Sequence, residues 1–452
     1  MSRAVSWLVR MRSTAGRRPL SLSFAASAAI QALNVASGVM LARALGPHGR
    51  GELAAVMLWP GLLAAIGSLG VGDGITYHTA RAGSRPGTVL GSGLALCVPQ
   101  SAVLVAAGFI TVSFTTAHHQ GATTGSAYLF LLYIPTYLAA TYLMAALNGI
   151  CRHAWFQGLR LLVVALSAAG VAALAVLGSL TARSAVLVYI AAHLTVLMVA
   201  FACWLRTVDL QPRVEASTVR SLVSFGVRSH GGTLAGTLNE RLDQLLISVF
   251  LAPASLGLYV IAVTLTSVTG LVGASASLVV LPAVARLPPG AARARSAWRT
   301  VAATLLGSVA VTVPVFAVLP QLIALFFGGA YGAAVPFARV LLVAAVLLST
   351  NRVLGAILRA VGRPLDAGAA ELLALGTTVV GLAALLPLLG LMGAALTSLL
   401  AYAVSTAWMA RRAIRALGPS ALPSPAPGRK GAWLIRAGRL PSGAGNAGEG
   451  TR

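Results

Sequence analysis

The sequence is poor in acidic residues and in lysine. Only 9 of its 452 residues are Asp or Glu, and Lys430 is the single lysine, so arginine carries the basic charge. The three cysteines, Cys97, Cys151 and Cys203, match no metal-binding spacing and no disulfide framework. The sequence also has no Walker loop and no His/Cys grouping typical of a metal site. These absences argue against an ATPase, a metalloenzyme and a disulfide-stabilised domain.

Charged residues of all kinds are scarce, at 9%, while hydrophobic residues make up 58%. The mean hydropathy is +0.86. A soluble domain of this length needs more polar surface, so the composition predicts an all-α polytopic membrane protein. A helix that crosses a bilayer core of about 30 Å needs about 20 apolar residues. Four ranges lack Asp, Glu, Lys and Arg, and each can hold most of a helical hairpin: 86–151, 244–285, 300–338 and 372–410.

Arginine is distributed in a rhythm that predicts the number and orientation of the spans. Connections with arginine alternate with nearly charge-free connections near His118, Ala254, Gly329 and Leu389. Because cytoplasmic loops retain Lys and Arg, the rhythm predicts that both termini are cytoplasmic. About twelve helices are expected, at 20–44, 52–79, 87–115, 124–148, 155–179, 184–205, 229–251, 255–284, 300–322, 334–358, 366–388 and 390–411. One connection breaks the rule, since Arg43 and Arg50 flank a turn predicted to face outward.

The formal net charge of +24 does not indicate a nucleic-acid partner. The arginines lie beside predicted spans, where the orientation of a membrane protein explains them. The predicted organisation is a basic cytoplasmic N-terminal segment (1–19), a six-helix bundle (20–205), a cytoplasmic linker (206–228), a second six-helix bundle (229–411) and a disordered cytoplasmic tail (412–452).

The two predicted bundles share loop signatures. At an offset of 206 residues, the loop after span one matches the loop after span seven, and at an offset of 211 a second pair of loops matches. The matched residues are Leu45 and Leu251, Pro47 and Pro253, Gly51 and Gly257, Leu147 and Leu358, and Arg152 and Arg363. This repeat predicts two pseudo-symmetric six-helix bundles, related by an axis along the membrane normal. Such an architecture favours a transporter whose substrate lies between the bundles.

Several short motifs resemble those of bacterial polysaccharide exporters and Wzx-type oligosaccharide flippases. They are the first loop from Leu41 to Leu53, Ser68 to Gly74 in span two, Leu147 to Ile150 before Arg152, Arg241 to Ile247 in span seven, and Leu256 to Tyr259. The resemblance covers about residues 20–411, and it extends to the superfamily that also holds multidrug (MATE) exporters and lipid II flippases.

The resemblance implies two bundles in a V around a central cavity. It implies translocation of undecaprenyl-diphosphate-linked oligosaccharide across the bacterial cytoplasmic membrane, for cell-surface polysaccharide synthesis and without enzymatic chemistry. The implied partners are membrane lipid, the lipid-linked oligosaccharide and other polysaccharide-assembly proteins. No cofactor is expected, although a proton or sodium gradient could drive transport.

Ionisable residues within spans are candidates for the transport pathway, because a charge in hydrocarbon costs several kcal/mol unless it meets water or a partner. If span seven is one helix from residue 229, Glu240 lies near mid-membrane, and Asp243 shares its helix face. Two neighbouring carboxylates suit a coupling-ion site, whereas the structural alternative is an ion pair with Arg241 or with an arginine on another helix. Asp73, between Gly72 and Gly74, either lines the cavity or pairs with an arginine.

Cations and amides are the other candidates. A diphosphate group needs arginine or backbone donors in a wet vestibule, which makes Arg43, Arg241, Arg352 and Arg359 candidates. The alternative for Arg359, at the membrane interface, is that it follows the rule that arginine stays on the cytoplasmic side. Arg352 could instead extend to the lipid headgroups. Asn34 could contact sugar hydroxyls, although asparagine in a span more commonly packs helices together.

Other functions remain open on the sequence alone. An ion-coupled multidrug exporter would favour an aromatic and acidic site, whereas aromatic residues make up only 6% of this chain. A membrane-embedded polysaccharide polymerase would usually bring a large hydrophilic loop, and all predicted loops here are short. A non-transporting membrane scaffold is the third alternative.

Overall fold

The computed structural model describes residues 2–81, 83–116, 122–206 and 213–417, and in this part of the chain all regular structure is helical. The linker predicted for 206–228 and the tail predicted for 412–452 lie partly outside the described residues. Of their described parts, residues 216–228 and 412–417 are helical. The helices are α1 (Ser2–Gly67), α2 (Val71–Ala80), α3 (Pro86–Thr116), α4 (Ala122–Phe130), α5 (Tyr133–Gly149), α6 (His153–Val176), α7 (Ala182–Leu205), α8 (Ala216–Asn239), α9 (Leu242–Phe250), α10 (Pro253–Ala285), α11 (Ala291–Ala317), α12 (Leu319–Phe326), α13 (Val335–Ala360) and α14 (Pro364–Leu417). A 3₁₀ turn, Gly329–Ala334, precedes α13.

These helices supply the twelve predicted spans. Nine helical stretches among the described residues are long and apolar enough to cross a membrane. Two of these stretches each contain two spans, because α1 bends at Gly46 (φ 65°) and α14 bends at Gly390 (φ 58°). Glycine adopts a positive φ without the steric cost that a Cβ brings, so the chain can reverse there within one residue. The pair α8 and α9 forms the remaining span.

Each half of the chain has its own apolar core. One buried cluster joins residues of α1 to α7, including Ile134, Tyr142 and Trp204. A second cluster joins α9, α10, α12, α13 and α14 around Tyr259, Tyr331 and Phe337, and it also includes Ala42 of α1. The molecule is therefore a pair of helical bundles, which confirms the predicted fold. Connections near residues 81–85, 150–152, 286–290 and 361–363 form one end, called here the arginine-rich end, and the bends at Gly46 and Gly390 lie at the opposite end.

The predicted repeat is visible in the turns that end α5 and α13. Both turns close with a six-residue backbone bond, from Arg152 N to Leu147 O at 3.0 Å and from Arg363 N to Leu358 O at 2.8 Å. In each turn the residue before the arginine has a left-handed backbone: Cys151 at φ 62° and Gly362 at φ 79°. This is the usual end of a helix that stops at a left-handed residue. The same turn at an offset of 211 residues confirms that the bundles are pseudo-symmetric.

The other matched loops pack directly against each other at the opposite end. A Cβ added to Gly51 would collide with the Pro253 carbonyl, and a Cβ added to Gly257 would collide with the Pro47 carbonyl. The two contacts are reciprocal, because Pro47 and Gly51 correspond to Pro253 and Gly257 in the repeat. Only glycine permits backbones to approach this closely. The bundles are thus held together at the opposite end by a symmetric backbone contact.

The expectation that Glu240 and Asp243 share one helix face is wrong. Span seven is not one helix from residue 229: α8 begins at Ala216 and ends at Asn239, and α9 begins at Leu242. Between them Arg241 has φ −125° and ψ −16°. Its amide bonds to the Leu238 carbonyl in a short turn, instead of continuing the α-helical ladder. This change of backbone direction turns the two carboxylates to different surroundings.

Candidate functional site

A cavity of about 400 Å³ lies where the two bundles face each other. Residues from the part of α1 after its bend form one wall, Tyr133 and Tyr189 a second, and Arg241 and Gln244 a third. Its charged lining residues are Arg50 and Arg241, with no carboxylate among the described residues that line it. We call this the inter-bundle cavity.

The arginines of the inter-bundle cavity form no direct ion pair in the part of the chain that the structure describes, although Arg241 interacts electrostatically with the Asp243 carboxylate. Neither takes part in a salt bridge there, and Arg50 Nε is buried without a hydrogen-bond partner among those residues. Arg50 is half-buried and Arg241 is exposed. Because neither guanidinium group forms a salt bridge among the described residues, the pair can bind an anionic ligand.

A larger cavity of about 910 Å³ lies within the second bundle and extends to the arginine-rich end. Its charged lining residues are Arg228, Glu240, Arg352, Arg359 and Glu371. We call this the bundle cavity. Arg352 Nη2 lies 3.0 Å from Glu240 Oε1, and its Nη1 donates to the Gly270 carbonyl at 3.4 Å. The alternative of an ion pair between Glu240 and an arginine on another helix is thus realised.

The two cavities meet at the break between α8 and α9. Thr237 lines both of them, while Glu240 lines the bundle cavity and Arg241 lines the inter-bundle cavity. Together their described linings contain five arginines and two carboxylates. The described lining of the two cavities taken together is consequently cationic.

Asp243 lines neither of these two cavities. It is buried, and its Oδ2 accepts hydrogen bonds from Tyr259 Oη at 2.6 Å and from Ser398 Oγ at 3.3 Å. The Gln244 amide donates to Asp243 Oδ1 at 2.7 Å. These donors satisfy the carboxylate within the second bundle, where it connects α9 with α10 and α14.

The other predicted site residues also lie outside both cavities. Asn34 and Asp73 are exposed on α1 and α2. Arg43 is exposed and donates to the carbonyls of Leu325 and Phe326, the latter at 2.9 Å. These are carbonyls at the C-terminal end of α12, which attract a cation. Arg43 therefore holds the two bundles together at the opposite end.

Sequence reasoning did not select Arg50 or Glu371 as site residues. Arg50 did carry a signal, because it broke the rule that arginine stays on the cytoplasmic side. Glu371 is one of the few acidic residues near a span, and it lines the bundle cavity beside Glu240. The tyrosines of the inter-bundle cavity, Tyr133 and Tyr189, carried no signal, because single aromatic residues in spans are usually packing residues.

Solved structures with the same fold come from transporters. An inward-facing multidrug resistance MATE family transporter of the MOP superfamily is 15% identical, with a TM-score of 0.69 over 85% of this chain and 95% of that chain. The lipid II flippase MurJ in an inward closed conformation is 12% identical, with a TM-score of 0.73 over 86% and 87%. The MATE multidrug transporter DinF-BH is 15% identical, with a TM-score of 0.62 over 88% and 94%. Such low identities show the fold alone.

A comparison of the sequence identifies the family of the chain. No curated protein matches the chain. A family model described as "Polysaccharide biosynthesis protein" matches residues 40–336, which is well over half of the chain. The match spans Arg50 and Arg241 as well as the first loop of the internal repeat. The chain is therefore a multi-pass membrane protein of the polysaccharide biosynthesis protein family, with the transporter and flippase fold of the MOP superfamily.

Proposed function

We propose that the protein translocates polyisoprenyl-diphosphate-linked oligosaccharide, with undecaprenol as the lipid, across the bacterial cytoplasmic membrane. The observation that carries the proposal is the charge of the inter-bundle cavity. Arg50 from the first bundle and Arg241 from the second line this cavity, and no carboxylate does so among the described residues. A diphosphate supplies the missing negative charge, and guanidinium groups bind phosphate oxygens through charge-assisted, often bidentate hydrogen bonds.

The larger cavity suits the sugar part of such a substrate. Its volume of about 910 Å³ lies near the upper end of the about 300–1,000 Å³ common for ligand pockets. Asn351 and Thr237 add polar groups to its charged lining. A sugar in the bundle cavity and a diphosphate in the inter-bundle cavity would lie on adjoining sides of the break between α8 and α9.

Alternating access follows from how the bundles touch. At the opposite end they meet through the reciprocal glycine contact, the bonds of Arg43, and a hydrogen bond from Tyr331 Oη to the Ala42 carbonyl at 3.0 Å. α1 also packs closely against α10, so a rocking motion of the bundles would have to separate this helix pair as well. Opening this end while closing the arginine-rich end would move the diphosphate from one leaflet to the other.

A cation-coupled multidrug exporter is the second candidate function. The observation that favours it is that Glu240 and Glu371 both line the bundle cavity. Acidic residues in such a cavity can attract organic cations or couple transport to a proton or sodium gradient. The excess of arginine over carboxylate in the two cavities supports an anionic substrate instead.

Reconstituted proteoliposomes separate the two functions. A fluorescent lipid-diphosphate sugar should move between leaflets with the natural protein, and the rate should fall with Arg50→Gln. A cationic dye should not accumulate in the same vesicles under a proton or sodium gradient. Dye transport without lipid translocation would instead establish the exporter, and neither activity would indicate a non-transporting role.

The proposed orientation places the arginine-rich end and both termini in the cytoplasm. Cys151 tests it, because this cysteine is exposed at that end while Cys97 and Cys203 are buried. A membrane-impermeant maleimide added to intact cells should leave Cys151 unlabelled and should label it once the membrane is permeabilised. Labelling in intact cells would reverse the orientation, and with it the direction of transport.

A further inference from the structure

A third cavity, of about 480 Å³, lies at the arginine-rich end, apart from the two cavities of the pathway. The connection between α2 and α3 forms one side, and the first turn of α8 forms the other. The residues that matter for its chemistry are His78, Arg81, Arg85, Thr88, Ser217 and Thr218. We call this the terminal groove, and it shares no lining residue with the inter-bundle cavity or the bundle cavity.

Two helix N-termini converge on the terminal groove. α3 begins at Pro86 and is 31 residues long, and α8 begins at Ala216 and is 24 residues long. The first amides of a helix have no intrahelical acceptor, and they create a partial positive charge. No side chain caps α8, so the amides at Ser217 and Thr218 are available to an anion.

A buried hydroxyl without a partner also faces the groove. Thr88 is only 5% exposed, yet it lines the groove and forms no hydrogen bond with the described residues. The Ser84 Oγ atom beside it is buried and likewise lacks a partner there. Buried polar groups in native proteins are normally hydrogen-bonded. The hydroxyls of Thr88 and Ser84 are therefore available to a ligand that enters the groove.

The charges of the groove favour an anion. Arg81 and Arg85 are its cations, and Glu215 is the one carboxylate among its described lining residues. That carboxylate already accepts a hydrogen bond from Thr218 Oγ1 at 3.2 Å. His78 Nε2 lies 3.1 Å from Ser221 Oγ, which leaves the other ring nitrogen free to contact a ligand. Two guanidinium groups, free amides and hydroxyls form a donor set typical of phosphate sites.

We propose that the terminal groove binds a phosphate group, at a site separate from the transport pathway. The phosphate would belong either to the headgroup of an anionic phospholipid or to a soluble phosphate. Because α2 and α3 belong to the first bundle and α8 leads into the second, the bound group holds the two together at the arginine-rich end. The contact it reinforces is the stacking of Tyr77 on Phe225, whose ring centroids lie 4.5 Å apart.

The experiment uses the full chain in nanodiscs and two probes. In phosphatidylcholine nanodiscs, radiolabelled inorganic phosphate reports the soluble source. In nanodiscs with added phosphatidylglycerol, native mass spectrometry counts the anionic lipids that stay on the protein. Retention of phosphatidylglycerol alone identifies the lipid headgroup, and saturable binding of inorganic phosphate identifies the soluble group.

The variants distinguish a specific binding site from the general attraction between arginine and anionic lipid. The double variant Arg81→Gln/Arg85→Gln should reduce binding at least tenfold. Thr88→Val keeps the charge and the size, and it should reduce binding several-fold. The matched control is Arg286→Gln/Arg299→Gln, which removes two exposed arginines from the same end but outside the three cavities.

The expected result is a loss with the groove variants and no loss with the control. If neither probe binds, or if the control variant loses as much as the groove variants, the proposal is overturned. Full binding by Thr88→Val together with a double variant that does not fold would also overturn it, since the buried hydroxyl would then play no part. Lipid translocation is measured separately, so failure of this site leaves the proposed transport function standing.

Discussion

The inter-bundle cavity and the bundle cavity lie side by side, but they differ in the charged groups that surround their arginines. In the bundle cavity Arg352 is bound to Glu240 and to a backbone carbonyl. In the inter-bundle cavity Arg50 and Arg241 form no salt bridge among the described residues. An arginine whose donors are used by the protein stabilises the structure, while one whose donors are free can bind a ligand. Arg228 and Arg359 of the bundle cavity also lack a salt bridge among the described residues. The bundle cavity contains two carboxylates and the inter-bundle cavity contains none among its described lining residues, which makes the inter-bundle cavity the candidate anion site.

The backbone break at Glu240 and Arg241 is what separates the two environments. In a continuous helix, neighbouring residues already point about 100° apart, but the short turn at Arg241 also displaces α9 from the axis of α8. Glu240 then forms an ion pair in the bundle cavity, while Arg241 lines the inter-bundle cavity. Experiments that change one cavity and leave the other intact test this division most directly.

The largest effect is expected when the free arginines are removed. Arg50→Gln and Arg241→Gln should each slow translocation of the lipid-diphosphate sugar by about tenfold to a hundredfold, since a hydrogen bond to a charged group contributes about 1.5–3 kcal/mol. Rates in proteoliposomes, divided by the amount of protein, measure this. Arg299→Gln is the control, because Arg299 is exposed and lines neither cavity. Equal losses in all three variants would contradict a specific role.

The next effect concerns the contact that closes the inter-bundle cavity at the opposite end. Gly51→Ala and Gly257→Ala each place a methyl group against a backbone carbonyl, which should disfavour the closed state by about 1–3 kcal/mol. Spin labels at His48 and Ser255 should report a larger population with the two loops apart. Gly332→Ala is the control, because a Cβ there meets open space. An unchanged distance distribution in both variants would show that the contact is not the gate.

A smaller effect, on stability, is expected from Asp243→Asn. The carboxylate accepts three hydrogen bonds in the second bundle, so its loss should lower the free energy of unfolding by about 1–3 kcal/mol. Arg241→Gln, two residues earlier, should leave stability nearly unchanged. Thermal unfolding and transport per folded molecule measure the two effects. A selective loss of transport in Asp243→Asn would give this residue a role in the pathway, as the sequence suggested.

The smallest effect is expected at the ion pair of the bundle cavity. The Arg352 and Glu240 side chains are 34% and 43% exposed, and ion pairs with that much access to solvent contribute about 0–1 kcal/mol. A double-mutant cycle with Glu240→Gln and Arg352→Gln should therefore show a coupling energy below about 1 kcal/mol. A much larger coupling energy would mean that the ion pair strongly stabilises the packing around the bundle cavity.

The features predicted well from the sequence depend on long stretches or on repetition. Uncharged runs of residues fix the number of spans, because any charge in hydrocarbon is costly. The repeat at offsets of 206 and 211 residues predicted two related bundles, and the structure shows equivalent turns at Cys151 and Gly362. These features need only local chain geometry, which a sequence pattern expresses directly.

The candidate site was predicted less well. Glu240 and Arg352 line the bundle cavity and Arg241 lines the inter-bundle cavity, but Asn34, Arg43 and Asp73 line neither cavity. The sequence placed Glu240 and Asp243 on one face because it showed no sign of a break at Arg241. No glycine or proline lies between Gly236 and Leu251 to mark one.

The sequence by itself determined that this chain lies in a membrane, crosses it about twelve times and consists of two related halves. Those properties follow from hydropathy, charge distribution and repetition, which act on each segment independently. Only the tertiary structure decided which charges have partners. Arg352 meets Glu240 across 112 positions of sequence, and Arg43 meets α12 across more than 280. The pairing of charges depends on which helices become neighbours, and this packing leaves Arg50 and Arg241 without a salt bridge among the described residues.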